Sequence, residues 1–326
     1  MRIGVVGAGG MGQLHAGCYR RMAGVTLAGI VGRREPRVRE ATKRLGCPGF
    51  TDLHALTEDD SVDAIDVAVP SGVHRGPVLA ALEAGKHVFC ETPIALSLDD
   101  ADAMIRAARR RRRLFLVAQL MRFSPEYARV HEAAVCRELG RPLAAVASRV
   151  SPPYWSARNP RPFPVYGEPL LELSIFDFNY LNWLFGKPRS VFTHGIEGPR
   201  KAADHYTVAV RYDHAAGVVE GSARLPASHP FNTHLRVLFE RGMYEGDFQL
   251  HKGHMSFSLL RYPEKGEQQH VRPRGGDPYK AECAYFVDCV RGRADPSLID
   301  GVHDRAALRV GLAARESFRT GRPVGL

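Results

Sequence analysis

No apolar run in this sequence approaches the ~20 residues needed to cross a bilayer, so no membrane span is expected. Cysteine is sparse and scattered: Cys18, Cys47, Cys90, Cys136, Cys283 and Cys289 form no C-x-x-C pair. That usage reads as reduced thiols in a cytoplasmic protein, and no metal is expected. Internal repeats and low-complexity linkers are both missing. The amino terminus carries a charge but runs straight into a glycine turn, which reads as a strand and not as a signal peptide. At 44% hydrophobic and 25% charged residues, disorder is not expected, and 326 residues are enough for two ordinary domains.

Basic charge, by contrast, is in excess: the net charge is +10 and the pI is near 9.5. The densest run, residues 109–113, ends a helical pattern, where cations suit the helix dipole. No recognised nucleic-acid module accompanies it, so nucleic acid is not an expected partner. An anionic cofactor accounts for part of the excess.

The stretch that organises the chain is its first dozen residues. A short apolar run ends at Val6, and Gly7-Ala8-Gly9-Gly10-Met11-Gly12 leads into a helical pattern over residues 13–22. Strand, glycine turn and helix at G-x-G-x-x-G spacing form a dinucleotide fingerprint. Gly7 permits the tight turn, Gly9 lets the backbone approach a pyrophosphate, and Gly12 lets helix and strand pack closely. The next strand pattern, residues 25–31, ends in Gly32-Arg33-Arg34. An Asp or Glu there would hold a ribose 2′-hydroxyl, whereas guanidinium groups pair with a 2′-phosphate. NADP(H) is therefore expected over NAD(H).

Further strands at residues 64–70, 86–90 and 114–118 alternate with helical patterns at 74–84 and from Ser97 onward. This alternation predicts a doubly wound parallel sheet, the Rossmann arrangement, over residues 1–120. Ligands bind outside the carboxyl ends of such strands. The glycine turn, residues 32–34, Pro70 to His74, and Glu91-Thr92-Pro93 all lie at those ends and should meet in one crevice. Beyond residue 120 the pattern changes. Helices are expected at 122–139, 170–185, 278–291 and 303–319, with consecutive strands over 190–257. Residues 121–326 thus predict an α+β domain with a mostly antiparallel open sheet, one face carrying helices and the other available for oligomer contacts.

Taken together, these positions resemble the Gfo/Idh/MocA oxidoreductases, the glucose–fructose oxidoreductase and inositol dehydrogenase family. The resemblance rests on the opening GAGGMG, Val69-Pro70-Ser71-Gly72-Val73-His74, Ala84-Gly85-Lys86-His87-Val88, Arg122-Phe123-Ser124-Pro125, Trp183-Leu184-Phe185-Gly186 and a closing helix over 306–317. It implies NAD(P)-dependent hydride transfer on a hydroxyl of a sugar or cyclitol, and a homodimer or homotetramer built through the second sheet. The crevice at the strand ends gives the expected cofactor contacts: Gly7, Gly9, Gly10, Met11, Gly12, Arg33, Arg34, Pro70, His74, Glu91 and Pro93.

The sequence departs from the family where protons are handled. The family's Glu-Lys-Pro is Glu91-Thr92-Pro93 here, so the lysine credited with polarising the substrate hydroxyl is absent. The family's Asp and His on the later helix align with Glu172 and Phe176, and a further acidic position aligns with Asn179. Thr92 donates a hydrogen bond but does not exchange charge near neutral pH, and Phe176 does neither. Losing acid–base assistance costs roughly 10²–10⁴-fold. Glu172 is the expected substitute; Asp177, His74 and the tyrosines of the 151–166 loop, Tyr154 among them, are the alternatives. Reduction of a C=N bond, which needs less acid catalysis, and cofactor binding without turnover are the competing readings.

Overall fold

The computed structural model describes residues 1–153, 166–198, 201–251 and 253–326. The chain divides into two compact units, Met1–Leu120 with Gly276–Arg305, and Met121–Gly275 with Ala306–Leu326. This differs from a single division after residue 120. Residues 276–305 join the first unit because the helix Pro278–Val290 packs on the helix Gly10–Tyr19 and Asp304 is bonded to Thr92 and Ile94.

The first unit runs β1 (Arg2–Val6), α1 (Gly10–Tyr19), β2 (Thr26–Val31), α2 (Glu35–Leu45), β3 (Gly49–Phe50), α3 (His54–Thr57), β4 (Ala64–Val67), α4 (Arg75–Glu83), β5 (His87–Cys90), α5 (Leu98–Arg111) and β6 (Phe115–Val117). The strands are all parallel, in the order β3-β2-β1-β4-β5-β6. This is the doubly wound order with its switch point between β1 and β4. Ile3, Val5, Ile65, Val67, Val88 and Phe89 are fully buried, as strands covered on both faces require. At the start of α5, Ser97 accepts the Asp100 N–H at 3.2 Å. Its basic end is partly neutralised, since Arg110 and Arg111 both pair with Glu83 of α4.

The chain continues through α6 (Leu120–Phe123) and α7 (Pro125–Val135), two helices where one over 122–139 was expected. Pro125 has no N–H to continue the ladder and holds Ser124 in extended backbone, so α7 starts afresh with Pro125 in its first turn. After β7 (Pro142–Val150), the expected helix 170–185 is likewise split into α8 (Pro169–Glu172) and α9 (Ile175–Phe185). Between them the Ser174 hydroxyl bonds that of Tyr206 at 2.8 Å, and the Ser174 carbonyl accepts the Phe178 N–H to begin α9.

The strands that follow are β8 (Ser190–Glu197), β9 (Ala203–Arg211), β10 (Ala216–Ser222), β11 (Phe231–Phe239), β12 (Gly242–His251), β13 (His254–Pro263) and β14 (Gln269–His270). Then come α10 (Pro278–Val290), α11 (Gly301–Thr320) and β15 (Val324–Gly325). Among the described residues the second sheet has the order β14-β13-β12-β11-β7-β10-β9-β8-β15. Among the described residues of this sheet, only the β7–β10 pairing is parallel. Helix α9 covers one face, and Arg149 of β7 points to it. The opposite face carries Phe192 and Leu238, 41% and 46% exposed.

Candidate active site

The glycine turn is closed on its inner side and open on its outer side. A Cβ on Gly7, where φ is +135°, would lie 2.2 Å from the Ala68 carbonyl oxygen, and one on Gly12 would lie 1.8 Å from that of Gly7. On Gly9 or Gly10 it would meet nothing within 4 Å. Only glycine therefore fits the tight side, while the other side leaves room at the N-terminus of α1. No side chain caps that helix, Met11 is exposed, and no acidic residue lies in its first turn. Backbone N–H groups and the positive dipole end face the opening, the chemistry a pyrophosphate needs. The residues present thus fit a dinucleotide.

At the end of β2 the same packing logic excludes a carboxylate. A Cβ on Gly32 would stand 2.7 Å from the Ala8 Cβ. Arg33 and Arg34, the next two residues, are exposed.

The loops after β4 and β5 are tied together by His74. This ring is buried, with Nδ1 3.0 Å from the Pro93 oxygen and Nε2 2.8 Å from that of Val69. Two carbonyls would suit an imidazolium, but burial disfavours the charge and pushes the pKa below its ordinary value. The neutral ring donates through one nitrogen only. His74, expected as a cofactor contact or acid–base substitute, is thus a strap beneath Pro70 and Pro93. Thr92 is half-buried, its hydroxyl donating to Asp304 Oδ1 at 2.8 Å and its N–H to Glu91 Oε2 at 3.1 Å. Asp304 is fully buried and also accepts the Ile94 N–H at 2.6 Å and the Gln119 amide at 2.5 Å.

Beneath the glycine turn lies a charged cluster. His15 of α1 is buried, with Nδ1 3.0 Å from Asp66 Oδ2. Its Nε2 is 3.2 Å from Glu91 Oε1, an ion pair rather than an aligned hydrogen bond, and 4.0 Å from Glu282 Oε1. The Tyr19 hydroxyl donates to Asp66 at 2.7 Å. Burial opposes charge on His15, but Asp66 and Glu91 outweigh it and hold the imidazole well above its ordinary value. Burial would likewise raise Glu91, yet His15 wins and holds it below the carboxylate range. Glu282, for which burial dominates, is pushed well up.

In the second unit, Asp177 is fully buried and takes both Nε and Nη2 of Arg149 at 3.1 Å. Burial nevertheless raises its pKa, with Arg149 opposing the rise. The Arg149 guanidinium lies 4.9 Å from the Phe176 ring centre. Asn179 accepts from Arg122 Nε at 3.0 Å and Nη2 at 2.9 Å, and Arg122 lies 5.0 Å from the Trp183 ring. Glu172, expected on the same helix as Phe176, instead ends α8 ahead of the break, where it accepts the Gly167 N–H at 2.7 Å. Tyr154 lies outside the described residues. The sequence reading missed five residues, namely His15, Asp66, Arg149, Glu282 and Asp304. For Asp66 there was a signal, a lone acid inside the apolar strand Ala64-Ile65-Asp66-Val67.

Residues 1–119 match the family model described as "Oxidoreductase family, NAD-binding Rossmann fold", and residues 127–245 match the "GFO/IDH/MocA C-terminal domain". The chain belongs to the Gfo/Idh/MocA oxidoreductase family. Among members of this family, it is 29% identical to the myo-inositol 2-dehydrogenase of Thermotoga maritima, over all of this chain and 98% of that one. Similarity to the scyllo-inositol 2-dehydrogenase (NAD(+)) of Bacillus subtilis is 26%, over 100% and 96%. The solved UDP-N-acetylglucosamine 3-dehydrogenase of Acidithiobacillus ferrooxidans shares the fold, with a TM-score of 0.83 and 23% identity over 98% of each chain.

Proposed function

We propose that this chain is an NAD(P)-dependent dehydrogenase acting on a CH–OH group of a cyclitol, sugar or related polyhydroxylated small molecule. The glycine cradle carries this reading, because it is open only where Gly9 and Gly10 would place a Cβ. The names of the full-length relatives, inositol dehydrogenases, support the substrate class. Residues 7–12 would hold the oxidised dinucleotide, which would supply the hydride acceptor for the alcohol carbon. The hydroxyl proton passes to the Glu172 carboxylate, which we take as the acid/base in place of the missing lysine and histidine. Asp177 holds Arg149, and Thr92 meets the substrate at the end of β5.

NADP(H) is preferred over NAD(H) in this reading. Gly32 has no carboxylate and no room for one against Ala8, while Arg33 and Arg34 are exposed for a phosphate. Phe176, a ring that moves no proton, favours a second reading, reduction of an imine. A panel of cyclitols, aldoses and linear polyols with NAD⁺ and NADP⁺, and a cyclic imine with NADPH, tests both. Reduced nicotinamide formed with a polyol supports the proposal. Turnover confined to the imine transfers the assignment, and no turnover with any compound overturns it.

A further inference from the structure

Thr92 follows the carboxyl end of β5, the side on which open parallel sheets hold their ligands. A threonine hydroxyl has one proton to donate and two lone pairs with which to accept. The single proton is directed at Asp304 Oδ1, 2.8 Å away. Asp304 is not a partner that can reverse this bond. It is fully buried, and the Ile94 N–H and the Gln119 amide converge on the same carboxylate, the surroundings of an acceptor-only group.

We propose that Thr92 is a specificity-determining residue that offers a ligand only lone pairs, so that the substrate group it meets must be a hydrogen-bond donor. A hydroxyl satisfies it; an ether, a fluorine or a carbonyl oxygen does not. This rests on the reading of the chain as a polyol dehydrogenase. A lysine at this place donates; the Thr92–Asp304 pair reverses that polarity. Selectivity follows from the mismatch, since an acceptor set against Thr92 leaves two lone pairs facing each other with no proton between them.

The probes are myo-inositol and its single-position deoxyfluoro analogues, fluorinated at carbons other than the one oxidised. Fluorine keeps the size of a hydroxyl but donates no proton. We expect one analogue to lose about tenfold in kcat/KM with the unmodified enzyme and with Thr92→Ser, the size of one unmatched hydrogen bond. With Thr92→Val that loss should shrink to within about twofold, while the penalties at other positions stay unchanged. Penalties that are independent of residue 92 at every position overturn the proposal. Should the enzyme fail to oxidise myo-inositol, the functional reading is what suffers, and NMR of threonine-labelled protein decides the inference. A slowly exchanging threonine hydroxyl proton that disappears in Thr92→Val upholds the committed donor, and its absence from the unmodified protein overturns it.

Discussion

His15 Nδ1 stands 3.0 Å from Asp66 Oδ2, and neither side chain is exposed. Asp66, Glu91, Glu282, Tyr19 and Cys18 all face or influence this imidazole, and the two nearest carboxylates hold its pKa well above ~6.5. A group raised on folding stabilises fully below its unfolded value and loses that contribution as pH rises through the folded one. Thermal melts of the protein and of His15→Gln should therefore differ most below pH ~6.5 and converge as pH rises through the raised value. A difference that is flat with pH would mean that His15 is neutral when folded.

The guanidinium groups after β2 carry the second prediction. Arg33→Ala with Arg34→Ala should lower the ratio of NADPH to NADH affinity by roughly tenfold or more, the scale of lost charge-assisted bonds. Fluorescence titration with both cofactors measures it. An unchanged ratio removes the arginines as readers of the 2′-phosphate.

Glu172→Gln keeps size and hydrogen bonding, including a carbonyl oxygen for the Gly167 N–H, but removes the base. A loss of roughly 10²-fold in kcat, with cofactor affinity little changed, is expected for one acid–base partner. Normal turnover by this variant on a good substrate shows that the proton goes elsewhere.

Asp177 should behave differently. Removing it strands the Arg149 charge in the interior, which costs about 3–5 kcal/mol. Asp177→Ala should thus fail first in denaturant unfolding. An undiminished midpoint together with a collapsed kcat would instead mark Asp177 as the proton carrier.

Phe192 and Leu238 lie on the same open sheet face, the side that carries homodimer or homotetramer contacts in our reading. Leu238→Lys should shift the mass measured by light scattering toward a monomer while leaving the melting temperature nearly unchanged. An unaltered mass would place any self-association on another surface.

The sequence was most legible where the constraint is local. The steric demands at Gly7 and Gly12 arise within a few residues and leave a spacing anyone can read. The Ser97 cap at the start of α5 is equally short-ranged. Asp304 and Glu282 were not legible, because their partners Thr92 and His15 stand more than two hundred residues earlier and nothing at either position records the pairing. The breaks before α7 and α9 divide along the same line. Pro125 announces the first, whereas the second depends on Tyr206, which belongs to a strand not yet reached.

The return of residues 276–305 to the first unit sets an order on biosynthesis. A nascent chain that has reached Leu120 has all six parallel strands, yet its Thr92 hydroxyl and Ile94 amide have no Asp304, and α1 has no α10 against it. At ribosomal rates of roughly 5–20 residues per second, those partners arrive on the order of ten to forty seconds later. The half of the molecule begun first is therefore completed only after β7 to β14 of the other unit have been translated.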